Sequence, residues 1–249
     1  MLVSNPKGHY SFVRGIAPYS AGAVAASGFE IEHATFPRPL PLQAGFAAVA
    51  ERLQAVGRPR QALCGMELRS PAPFSFQGFS DFNQGYVEIL REWDILFEGM
   101  NPVARTNVAP ELDPPAEPSV YGFSYTVPAT GAPKTFVVAG AGELPEGSLD
   151  PHDVVRRGET SQDALAEKIR FVMGLMTARL EGLGVSWDGV TATEVYTVHD
   201  IVPHLKSGIL GPMGAARNRG ILWHYTRPPI VSIEYEMDLH GFRRDLVLA

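Results

Sequence analysis

Two glutamates and a few scattered arginines are the side chains in this sequence best equipped to do chemistry. The stretch "IVSIEYEMDL" places Glu234 and Glu236 at strand alternation. A carboxyl group that faces a cleft beside an arginine can hold a water and shuttle a proton. Hydrolysis of an imine asks for both: water adds to the C=N carbon and a proton goes to the departing nitrogen, and one positioned carboxyl serves each step in turn. On the other reading the two glutamates merely alternate on the outward face of a strand. Arg105, in "NPVARTNV", lies between Pro102 and Pro110 in a short strand-like stretch, because proline disfavours helix and the neighbours are small or β-branched. A lone arginine there is a solvated side chain unless other residues belong with it.

Other chemistries find less support. His199, His204, His224 and His240 are spread without a ligand spacing such as H-E-x-x-H. The glycine-rich "GAGELPEG" lacks both the phosphate-loop lysine and the dinucleotide fingerprint, and no G-x-S-x-G elbow presents a serine. Neither a metal nor a cofactor is expected. Trp223 and Tyr225 suit an aromatic pocket or a core, and Phe74, Phe76, Phe79 and Phe82 suit a lid or an interface patch.

The 249 residues allow one large domain or two small ones. Apolar content is 45% and charged content 19%, with 25 Gly and 21 Pro, a composition of a folded, turn-rich chain rather than a disordered one. A formal net charge of −6 argues against a nucleic-acid partner, which wants a basic face. The N-terminal "MLVSNPKGHYSF" lacks a signal pattern and no run of about 18 apolar residues is present, so a soluble, cytoplasmic protein without a membrane partner is expected. The single cysteine, Cys64, excludes an internal disulfide and reads as a small core residue.

Two stretches carry helical period. Phe46, Val49, Ala50, Leu53 and Val56 form one apolar stripe that Gly57 ends; Leu165, Ile169, Val172, Met176, Leu180 and Leu183 form another, with Ser161 as N-cap and Gly184 as the stop. The likeness goes further. "RLQAVG" (Arg52 to Gly57) matches "RLEGLG" (Arg179 to Gly184), and ten residues beyond each terminal glycine stands a glutamate, Glu67 and Glu194, opening a strand-like segment. Two copies of one unit, offset by 127 residues, explain this most simply. Each copy reads as opening strands, helix, strand, variable segment and closing strands, giving an α+β layer with helices on one face of a mixed sheet. The join is expected in Val127 to Lys134, dividing the chain into 1–130 and 131–249.

Specific segments add a family resemblance. "IAPYSAGAV", "FNQGY" and "NPVARTNV" in the first copy, and "RGILWHYTRPPIVSIEYEMDL" in the second, resemble motifs of the Rid proteins, the reactive intermediate deaminase or YjgF family. The resemblance implies tandem chorismate-mutase-like domains, a homotrimer, and hydrolytic deamination of an enamine or imine acid without a cofactor. It implies that Arg105 and Arg219, the latter in preference to Arg217, clamp the carboxylate of a small-molecule substrate, a role suited to a planar guanidinium. Tyr19 and Asn83 join them as binding residues, and Glu234, fifteen residues after Arg219, is the catalytic acid–base. The first copy has Tyr121 where the family has its glutamate, and the second lacks the P-Y-S and N-x-x-Y segments. Either one composite site draws on both copies, or one copy is a structural partner. A protein that binds a small carboxylate without turnover is the alternative function.

Overall fold

The computed structural model describes residues 1–131 and 133–248. In chain order its strands are β1 (Leu2–Asn5), β2 (Tyr10–Val13), β3 (Gly22–Ala25), β4 (Phe29–Pro41), β5 (Leu63–Arg69), β6 (Ala104–Pro110), β7 (Ser119–Pro128), β8 (Phe136–Gly142), β9 (Ala192–Tyr196), β10 (Leu222–His224), β11 (Thr226–Arg227), β12 (Glu236–His240) and β13 (Asp245–Val247). The helices are α1 (Leu42–Ala55), α2 (Phe76–Glu92) and α3 (Gln162–Leu183). None of the described helices is long and apolar enough to cross a membrane.

Helix α3 forms where its stripe predicts. The Ser161 side chain accepts from the Ala164 N–H, and Gly184 ends the helix in the left-handed region at φ 67°. All six stripe residues are buried, and most pack on Val138, Val195, Met237 and Leu239 of the sheet beneath. Helix α1 buries Phe46, Val49 and Leu53, and together with α2 it covers the other sheet.

The fold is mixed α+β with two mixed sheets. One has the order β1-β2-β3-β8-β12-β9-β10, the other β11-β6-β5-β7-β4-β13. The two repeat units are visible in them. In the second sheet β5 pairs parallel with β6 and antiparallel with β7, which pairs antiparallel with β4; in the first, β9, β10, β12 and β8 repeat that pattern. The expected division at 130/131 lies in the connector from β7 to β8, of which Ala132 falls outside the described residues. Strands from both sides of it share both sheets: β3 pairs with β8, β13 with β4, and β11 with β6.

The sheets pack face to face, with helices on the outer faces. Alternation along β8 shows it: Phe136 and Val138 join the core beneath α3, whereas Val137 and Ala139 join Tyr10, Phe12, Ile31 and Ala104 between the sheets. Cys64 is buried in that inner layer, where burial pushes its thiol pKa up.

Candidate active site

Arg105, on the α2 side of β6, lines a cleft and is 3% exposed. Its guanidinium carbon lies 4.8 Å from the ring centres of Tyr19 and Tyr86, 5.4 Å from Phe79 and 5.8 Å from Phe82. Cation–π contact stabilises a charge in such a cage but supplies no hydrogen-bond acceptor. All three side-chain nitrogens, Nε, Nη1 and Nη2, lack a hydrogen-bond partner, and burial lowers the guanidinium pKa. A buried fork with every donor free is costly unless something anionic comes to it.

The cleft is lined by Tyr19, Phe79, Arg105, Gly140, Glu146, Arg179 and Glu236, among others. Glu236 opens β12 and is buried. Gly140 on the neighbouring β8 makes room for it, since a Cβ there would collide with Glu236 Oε1 and crowd the Thr106 side chain. Burial, with the nearby Asp238 carboxyl adding to it, holds the Glu236 carboxyl well above the ordinary range despite the opposing pull of Arg179 and Arg105. The raised pKa favours the protonated form, which can give a proton. Arg179, on α3, reaches the cleft from beneath. Its Nη1 donates to the carbonyls of Ala139 and Gly140 at 2.7 and 3.3 Å, and its Nε and Nη2 donate to the two carboxylate oxygens of Glu146 at 2.9 and 3.0 Å.

The residues singled out from sequence divide. Arg105 and Tyr19 meet in this cleft. Asn83 is buried on α2, one turn before Tyr86, with its side-chain oxygen unpartnered. Glu234 stops short of β12; its carboxylate meets His199 Nε2 at 2.8 Å and its N–H donates to Glu143 Oε1 at 2.7 Å. Arg217 and Arg219 are exposed on the short 3-10 helix Gly214–Arg219. Strand register explains the last placement: Thr106 stands opposite Glu67 and Leu222 opposite Glu194, so Ile221, not Arg219, occupies the position of Arg105 in the second unit. Glu146 and Arg179 escaped the sequence reading of the site. The available signal was a charged residue beside Leu180, inside the apolar stripe of α3.

A second polar cluster lies between the sheets, buried at His33 and Glu67 and open to solvent at Asp245. His33 sits with Nε2 2.7 Å from Glu67 Oε1 and Nδ1 2.9 Å from Asp245 Oδ1. Burial alone would lower its pKa, but these carboxylates reverse that and hold it at about 10; Glu67 is held correspondingly low, against its own burial, by His33. Nearby, Glu194, Asp238 and His240 bring ligand atoms within 4.8 Å of one another and form the candidate metal-binding group among the described residues. The same carboxylates are already in use internally, as Thr106 donates to Asp238, the Tyr196 hydroxyl lies 2.7 Å from Glu194 and 3.0 Å from Asp238, and His224 Nε2 lies 3.0 Å from Glu194.

A family model described as 2-aminomuconate deaminase CnbZ matches residues 2–246. The chain belongs to that family. A 2-amino-5-chloromuconate deaminase from Comamonas testosteroni is 46% identical over 250 residues, spanning 99% of this chain and 98% of that protein. Among solved structures, a chorismatase is similar with a TM-score of 0.49 at 12% identity, over 89% of this chain and 77% of that one; a cyanuric acid hydrolase follows with 0.42 at 9%, over 85% and 67%. Membership of the 2-aminomuconate deaminase family corrects the resemblance to the Rid proteins, which are a different family. The short motifs behind that resemblance answer a local need: Tyr19 of "PYSAGAV" and Tyr86 of "FNQGY" are the two rings nearest the guanidinium of "NPVARTNV". Caging one buried cation constrains three short segments together, whatever family the rest of the chain belongs to.

Proposed function

We propose that this protein hydrolyses the C–N bond of a 2-aminomuconate-type substrate, an enamine carrying a carboxylate beside the amino-bearing carbon, in the cleft between β6, β8 and β12. The carrying observation is that Arg105 offers a buried guanidinium with no internal partner to a cleft that Glu236, a buried carboxyl with a raised pKa, also lines. The carboxylate next to the reacting carbon docks on Arg105 through paired hydrogen bonds, which fix its orientation. Glu236 gives its proton to the enamine carbon, turning C=C–NH2 into an iminium. As a carboxylate it then takes a proton from the water that adds to the iminium carbon, and returns it to nitrogen. Collapse of the carbinolamine expels ammonia, and the hydroxyl proton restores the acid. One water enters, one ammonia and one 2-oxo acid leave, and the glutamate ends as it began.

Family membership and the 46% identical deaminase support the reaction class; the cleft supports the roles. The test is ammonia release from freshly generated 2-aminomuconate. The wild-type protein turns it over, and Arg105→Met raises KM about 10- to 100-fold, the worth of a charged hydrogen-bond pair. Ammonia release no faster than in protein-free buffer overturns the proposal.

A further inference from the structure

The geometry points to Arg179 as a second carboxylate subsite in the same cleft, occupied in the ligand-free protein by Glu146 acting as an internal stand-in for the far carboxylate of a diacid ligand. This rests on the reading of the cleft as the substrate site.

Arg179 is 7% exposed as a side chain, whereas Glu146, its bidentate partner, is 42% exposed. The asymmetry decides how the pair behaves. A half-exposed carboxylate is released into water at little cost, but stripping a buried guanidinium of its anion is costly. Arg179 therefore exchanges one carboxylate for another rather than opening to nothing. The two oxygens of Glu146 already show the paired approach that an incoming carboxylate would adopt.

The segment that carries Glu146 is built for such an exchange. Its root is fixed: Glu143 is fully buried against Lys168 Nζ at 2.9 Å and accepts the N–H groups of Glu234 and Tyr235. Its far side is tied back to that root where the Val155 N–H donates to the Glu143 carbonyl at 3.0 Å. Between these anchors Glu146 is followed by Gly147 at φ 83°, a left-handed conformation that glycine enters without strain. A change there moves Glu146 while leaving both anchors in place. Arg179 itself is held by the carbonyls of Ala139 and Gly140, so the fork stays aimed at the cleft when its partner leaves.

Two inert six-carbon dienes separate this idea from the chemistry: muconate, with two carboxylates, and sorbate, identical at one end but with a methyl group at the other. Their affinities are read by calorimetry on the full-length protein. The wild type binds muconate more tightly than sorbate. Glu146→Gln, which removes the competing charge and leaves Arg179 intact, tightens muconate about tenfold and leaves sorbate unchanged. Arg179→Met brings muconate down to the level of sorbate. Equal affinity of the wild type for the two acids, or a Glu146→Gln protein that binds muconate no better than the wild type, overturns the subsite. Because neither ligand reacts, this pattern can hold when ammonia release fails, and can fail when ammonia release holds.

Discussion

Glu234 and Glu236 stand two residues apart and have opposite surroundings. Glu234 lies in the approach to β12, its carboxylate paired with His199; Glu236, on β12, is buried against Gly140, and burial raises its carboxyl pKa. Only the second faces Arg105 and Arg179 across a cleft.

Substituting each glutamate by glutamine separates them. Glu236→Gln lowers kcat for ammonia release by roughly 100- to 10,000-fold, the range for removing a general acid–base, while Glu234→Gln stays within a few-fold of wild type. Gly140→Ala follows Glu236→Gln in direction, because the added methyl displaces the Glu236 carboxyl.

The raised pKa of Glu236 has a stability consequence of known sign. Between about 4.3, where an unfolded glutamate titrates, and its elevated folded value, the native state binds the extra proton and stability falls as pH rises. Denaturant unfolding of Glu236→Gln against wild type across this window gives a mutant advantage that grows with pH. An advantage that stays flat with pH rules out burial of a titrating Glu236.

Burying the Arg105 guanidinium without a hydrogen-bond partner costs stability. Its three unpartnered nitrogens are desolvated without return, so Arg105→Met, similar in length and apolar, raises the unfolding free energy by roughly 1–3 kcal/mol while activity drops. Equal or lower stability of that variant means the guanidinium is satisfied in the folded protein.

The buried pair His33 and Glu67 behaves the other way. His33→Gln removes the hydrogen-bonded cation of buried Glu67, leaving Arg69 Nη2 3.6 Å away, and costs roughly 1–3 kcal/mol near pH 6. The raised His33 pKa means that its contribution is fully present below about 6.5 and is lost as pH rises through about 10. The depressed Glu67 pKa confines its share to pH above about 4.3, lost as pH falls through the lowered value. The gap between wild type and His33→Gln therefore narrows as pH rises from about 6.5 to about 10; a constant gap across that window shows that the pair is not ionised.

The elements legible in the sequence were those with uninterrupted local pattern. Helix α3, with six apolar residues at helical spacing between a serine cap and a left-handed glycine, is where its stripe puts it. The repeat was legible because Glu67 and Glu194 hold equivalent positions on β5 and β9. Helix α2 was not, since Gly78 and Gly85 weaken it and its buried face runs Phe79, Asn83, Tyr86, Leu90, with an amide in the apolar stripe. Register was beyond reach: fifteen residues on from Arg219 is Glu234, but fifteen on from Ile221, the residue that stands where Arg105 does in the other unit, is Glu236. A two-residue offset of that kind becomes visible only once the strands are paired. Nor does local pattern announce that β3 will join β8, more than a hundred residues away.

The proposed role of the free Arg105 guanidinium as a carboxylate receptor is tested most directly by a crystal structure of the protein with bound muconate. The predicted result is one carboxylate of the diacid paired with Arg105, with the diene lying beside the Glu236 carboxyl. Muconate bound elsewhere, with Arg105 still caged by its aromatic rings and touching no anion, contradicts it.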